Sequence, residues 1–171
     1  THEAVLRALI DLGADVNKAM DDGATALYIA AQMGHAAVVR ALVEAGADVN
    51  KAMDEGATPL FIAAQMGHEA VVRALVEAGA DVNNSMDEGA TPLYIAAQMG
   101  HEAVVRALIE AGADVNKAAD EGSTPLFIAA QTTHEAVLRA LIDLGADVNK
   151  AMDDGATALY IAAQMGHAAV V

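Results

Sequence analysis

The 171-residue sequence contains no cysteine and no tryptophan, and its only aromatics are three tyrosines and two phenylalanines. Without cysteine, disulfides and thiolate metal sites are excluded, and the redox compartment stays open. Basic residues are scarce. Nine Lys and Arg stand against 24 Asp and Glu, a formal net charge of −15. Binders of nucleic acid gather cations against phosphates, so DNA, RNA and anionic lipid are poor partners for this chain. A basic partner, or plain solubility, suits it better. Long apolar runs are missing too: Arg40, Glu44, Arg73 and Arg106 interrupt every window near the roughly 18 residues that a membrane span needs. No basic stretch followed by an apolar core opens the chain. Catalytic words are equally absent. The only serines are Ser85 and Ser123, neither on a strand–turn–helix elbow, and no glycine loop ends in a phosphate-binding lysine. An enzyme, a cofactor and a small-molecule substrate are therefore not expected.

What is present is repetition. The hydrophobic residues, 55% of the chain, are mostly Ala, Val, Leu and Ile, a palette of closely packed helices. The string "GATPLFIAAQMGH" at Gly56 returns, with small changes, at Gly23, Gly89, Gly122 and Gly155, each 33 residues after the last. Gly13, Gly46, Gly79, Gly112 and Gly145 form a second column, and Asn17, Asn50, Asn83, Asn116 and Asn149 a third. A period of this length points to a solenoid. Cutting after each Asn gives full units at 18–50, 51–83, 84–116 and 117–149, with partial units at 1–17 and 150–171. Within one unit, Thr58 is placed to cap a helix that Pro59 opens. Leu60, Ala63 and Ala64 share a face, and Gly67 ends the helix in the left-handed conformation. A second helix is expected from about Glu69 to Ala78, its polar stripe limited to Glu69, Arg73 and Glu77. A helix so apolar must be covered on several sides. "ADVNNSMDEG" then leads outward through a turn to the next unit. No unit can hide its apolar surface alone; stacked neighbours hide it for one another.

The 33-residue period, "TPL", "AA" before "GH" and the closing "GADVN" together resemble the ankyrin repeat over the whole chain. The resemblance implies an all-α solenoid of antiparallel helix pairs in an L-shaped stack, with turn tips and first helices lining a concave groove. It also implies a non-enzymatic role in binding protein partners. One word departs from the family: its usual T-P-L-H carries a histidine that joins a polar network. This chain has Tyr28, Phe61, Tyr94, Phe127 and Tyr160 there. An aromatic column that packs repeat against repeat, or an aromatic binding strip, would replace that network.

Residues 1–39 and 133–171 are identical, at an offset of four units. The ends fall inside units, with no polar cap on either, so a window on a longer array is the expected context. Thr133 stands where Gly34, Gly67 and Gly100 stand in other units. A β-branched residue there is unfavourable, so either the turn relaxes or this junction is the softest.

Candidate sites follow from this layout. His2, His35, His68, His101, His134 and His167 form a column, but helices stacked about 8–10 Å apart hold neighbouring rungs too far apart to share a zinc ion. The resemblance gives these histidines a structural post at the turn between helices. Partner contacts, by the same resemblance, fall on the acidic tips and the exposed side of the first helices. These are Asp21, Asp22, Asp54, Glu55, Asp87, Glu88, Asp120 and Glu121, with Gln32, Met33, Gln65, Met66, Gln98 and Met99. The tip carboxylates are expected to stand in open water, without the concave, partly dry pocket that acid–base work needs, and their spacing matches no calcium loop. The uniformity of these positions favours a repetitive or basic protein partner, or self-association. The leading reading is a protein-interaction scaffold. A self-assembling filament or spring is the alternative, and a designed consensus array, which the irregular Asn84–Ser85 and Thr132–Thr133 speak against, is the third.

Overall fold

The computed structural model describes residues 2–166, and the side chains from Ala4 onward. Among these residues lie ten α-helices: α1 (His2–Asp11), α2 (Ala26–Gln32), α3 (Ala36–Glu44), α4 (Pro59–Gln65), α5 (Glu69–Glu77), α6 (Pro92–Met99), α7 (Glu102–Glu110), α8 (Pro125–Gln131), α9 (Glu135–Asp143) and α10 (Ala158–Met165). They form two layers. Helices α2, α4, α6, α8 and α10 stack in one, and α1, α3, α5, α7 and α9 in the other. This is an all-α helix–turn–helix solenoid.

Local chemistry sets the boundaries. Thr58 Oγ1 accepts from the Phe61 N–H at 3.2 Å, and Thr25, Thr91, Thr124 and Thr157 cap their helices in the same way. Pro59, Pro92 and Pro125 occupy first turns, where a missing N–H costs nothing. The five caps recur at one position because every first helix starts from the same outward turn. In the inner layer Ala63, Ala64, Ala96, Ala97, Ala129 and Ala130 are fully buried, and their small size lets adjacent helices approach closely. Leu60, Leu75, Leu93, Leu108 and Leu141 fill the space between layers.

Polar ladders tie each helix pair to the next. Asn17 Oδ1 accepts from the Asp48 N–H at 2.8 Å, Asn50 Oδ1 from Asp81, Asn83 Oδ1 from Asp114 and Asn116 Oδ1 from Asp147. Each of those aspartates turns back to accept the N–H of the Asn two residues on, at 2.9 Å. The "DVN" word is thus a backbone clamp. Arg73 pairs with Glu69 at 2.9 Å along α5 and reaches Glu110 at 3.4 Å, but both contacts are exposed and contribute little.

The histidine column holds a further ladder. His68 Nε2 meets the Gln32 carbonyl at 3.0 Å, His101 meets Gln65 at 2.9 Å and His134 meets Gln98 at 3.0 Å. Each ring lies over a glycine of the preceding turn; a Cβ on Gly34, Gly67 or Gly100 would come within 2.9, 2.7 or 2.6 Å of it. Steric room for the ring and the left-handed φ both demand glycine here. The side chain of His2, and His167 with the rest of 167–171, lie outside the described residues. Thr133 keeps φ at 63°, so the turn does not relax: the strain is held in place.

Candidate protein-binding face

Successive outward turns are joined by one backbone hydrogen bond per step. Asp54 N–H donates to the Asp22 carbonyl at 2.9 Å, Asp87 to Glu55, Asp120 to Glu88 and Asp153 to Glu121. Each turn is itself closed by a pair such as the Met53 N–H to the Ala57 carbonyl, at 3.0 Å. The tips therefore advance in register with the helices beneath them, and the angle between tips and first helices becomes a continuous concave surface.

Two cavities open on that surface. The first, of about 460 Å³, has Tyr28, Phe61 and Tyr94 among its walls. Met53, Met86, Ala57, Ala90 and Ile95 complete the apolar part, and Asp54, Glu55, Glu88, Gln65 and Gln98 the polar part. The second, of about 390 Å³, is its counterpart 66 residues on, with Tyr94, Phe127 and Tyr160 beside Asp120, Glu121, Asp154, Gln131 and Gln164. Both centre on a Phe flanked by two Tyr. The backbone alternates with the same period: Glu55 and Glu121 take φ of 67° and 60°, inside 3₁₀ turns at Asp54–Gly56 and Asp120–Gly122. Among the described residues, the corresponding Asp22, Glu88 and Asp154 keep negative φ. The surface repeats every two helix pairs.

The sequence-derived candidates divide accordingly. Asp54, Glu55, Gln65, Glu88 and Gln98 come together around the first cavity, and Asp120 and Glu121 line the second. The tip carboxylates are expected in open water, without a concave, partly dry pocket. They are exposed, yet they rim a concave space, because the inter-turn hydrogen bonds hold the tips over the first helices. Asp21, Asp87, Gln32, Met33, Met66 and Met99 line neither cavity. Met33 is 59% exposed, at the far end of its helix from the turn tips. Asp22 acts locally, its Oδ1 accepting the Ala24 N–H at 3.0 Å. Burial first, and the nearby Asp22 charge second, push the Tyr28 pKa above the ordinary tyrosine value, so this phenol stays neutral.

Met53 and Met86 are not among the expected contact residues, and the five aromatics are expected there only under the binding-strip reading. The aromatic departure from T-P-L-H was the clue to them. Tyr28, Phe61 and Phe127 are buried, as repeat-to-repeat packing requires, while their edges still form cavity wall. Tyr94 is half-buried, and its hydroxyl lies 3.3 Å from Ser123 Oγ. Among the described residues no cluster of three or more His, Asp or Glu is arranged to hold a metal ion. No helix of the described residues is long and apolar enough to cross a membrane.

A family model described as ankyrin repeats (3 copies) matches residues 1–53, 48–119 and 112–171. The chain belongs to the ankyrin-repeat family. No curated protein matches it. Ankyrin repeats generally mediate protein–protein interaction and are typically not enzymatic. In this ankyrin stack the capped first helices and laddered tips supply the concave face, and the second helices form the opposite layer.

Proposed function

We propose that the chain is a non-enzymatic interaction scaffold that binds a protein partner on its concave, acidic face. The observation that carries this reading is the pair of concave cavities, where apolar and aromatic walls meet exposed carboxylates. Apolar walls give binding energy and the few polar groups give orientation, the combination that recognition sites use. The partner is expected to be basic or repetitive, because the face is acidic and recurs.

A photo-crosslinking residue at Gln65, inside the first cavity, should capture a distinct protein partner. The same residue at Arg73, on the outer layer, should not. Capture from Arg73 alone would overturn the reading. Purified material should also stay dispersed in light scattering. A rod of uniform width by electron microscopy would instead favour the self-assembling alternative.

A further inference from the structure

The first cavity contains a hydrogen-bonding group that the protein does not use. Tyr28 is only 7% exposed, yet among the described residues its hydroxyl has no hydrogen-bond partner. The comparison with Tyr94 shows why. Ser123 stands 29 residues after Tyr94 and bonds its hydroxyl, whereas Ala57 stands 29 residues after Tyr28 and offers nothing. The residue lines the cavity, so a hydroxyl that the protein leaves without a partner is available to a visitor there. On the rim of the same cavity, Asp54, Glu55 and Glu88 form no ion pair among the described residues. Phe61 and Tyr94 add ring surface beside them. A phenol oxygen, carboxylates and aromatic faces all favour the same visitor: a cation carrying several N–H donors on a planar group.

Resting on the scaffold reading above, we propose that the first cavity receives an arginine side chain from an extended basic segment of the partner, and that the second cavity receives another arginine of the same segment. Guanidinium suits the site better than ammonium because its flat fork can stack on a ring while donating to carboxylate and phenol together. The spacing follows from the stack. Adjacent helices in a layer lie about 8–10 Å apart, so cavities two steps apart are separated by roughly 16–20 Å. An extended strand advances about 3.3 Å per residue, which corresponds to five or six residues. Side chains of a strand alternate sides, so only the even separation turns both arginines toward the groove. The predicted motif is arginine at positions i and i+6. The first cavity, with the unpartnered hydroxyl, is the stronger of the two.

The test is fluorescence anisotropy of the 171-residue chain with labelled 12-residue peptides that are neutral apart from their arginines. The i, i+6 peptide is expected to bind at least tenfold more tightly than a single-arginine peptide, and several-fold more tightly than the i, i+5 peptide or a two-lysine i, i+6 peptide. Tyr28→Phe should weaken it about fivefold or more, and Glu55→Gln with Glu88→Gln more strongly. Glu44→Gln with Glu77→Gln, which removes the same charge from the outer helices, should leave binding within twofold. Circular dichroism confirms that each variant remains helical; if Tyr28→Phe does not, the Glu88→Gln and Glu77→Gln comparison decides.

Binding that ignores spacing and responds equally to both charge pairs would show attraction to net charge alone and overturn the proposal. If no peptide binds while the Gln65 crosslinker still captures a partner, the arginine pairing falls and the scaffold reading stands.

Discussion

Thr133, Glu55 and Glu121 are the non-glycine residues held at positive φ among the described residues, and of the three only Thr133 is β-branched. Left-handed backbone costs an L-residue about 1–2 kcal/mol, part of which glycine returns as unfolded-state entropy. Thr133→Gly is therefore expected to stabilise the chain by about 0.5–1 kcal/mol, read as a higher urea midpoint. An unchanged or lower midpoint would show that the Thr side chain makes compensating contacts. Asn84 is the second irregularity. Lys51, Lys117 and Lys150 donate from Nζ to the carbonyls of Asn17, Asn83 and Asn116 at 2.8, 2.7 and 2.6 Å. At Asn84 no such bond reaches Asn50, so Asn84→Lys should add about 0.5–1.5 kcal/mol by the same measurement. Tyr28 gives a pH test. Its folded pKa lies above the ordinary value, so the unfolded state loses its proton first. The stabilising contribution is fully present below pH of about 10 and is lost as pH rises through the folded pKa. In Tyr28→Phe the alkaline decline in stability above that pH should be shallower, as measured by denaturant titration at stepped pH.

At the scale of the element, the junction between helix pairs rests on a ring over a glycine. His101 sits against Gly67 while its Nε2 meets the Gln65 carbonyl, so one residue fixes both the height and the register of the step. Gly67→Ala places a Cβ 2.7 Å from that ring, at a backbone φ of 75°, and should cost about 2 kcal/mol or more. In a His101→Ala background the steric part disappears and only the backbone part remains. A double-mutant cycle should thus give a coupling of about 0.5 kcal/mol or more, and strict additivity would refute the ring-over-glycine account. This step also shows what the sequence makes legible. Threonine caps, first-turn prolines and the glycine stop are local chemistry, and they were readable from Thr58, Pro59 and Gly67 alone. The histidine's bond to Gln65 joins residues 36 apart, and no local rule places it. The candidate face was half legible for the same reason. Asp54, Glu55 and Gln65 could be assigned from the repeat frame, but their gathering around Phe61 depends on how each tip leans over its neighbour. The alternating backbone at Glu55 and Glu121, with no counterpart at Glu88, has no cue in the nearly uniform tip sequence.

For the whole molecule, stability belongs to neighbours rather than to units. Helix α4 touches its own partner α5, but it also packs along α2 on one side and α6 on the other, and α5 likewise lies between α3 and α7. Leu60 and Phe61, Ile62, Val71, Val72 and Leu75 reach full or near-full burial only with those flanking helices in place. Complete burial of such a side chain contributes about 1.5–3 kcal/mol, whereas ordering the backbone costs about 1–2 kcal/mol for every residue. A helix pair that loses both flanking surfaces keeps the whole ordering cost and only a fraction of the burial. It also loses the clamps: the Asp81 N–H no longer has the Asn50 Oδ1 to donate to, and His68 has no Gln32 carbonyl to meet. A peptide covering 51–83 is therefore expected to show little helix by circular dichroism and no cooperative melting, while the 171-residue chain melts with a sharp transition. Joining three such segments in tandem should restore the transition, because the central one then regains both neighbours. Cooperative melting of the single segment as a monomer would mean that the helix pair stabilises itself, and the stacking account of the fold would have to be abandoned.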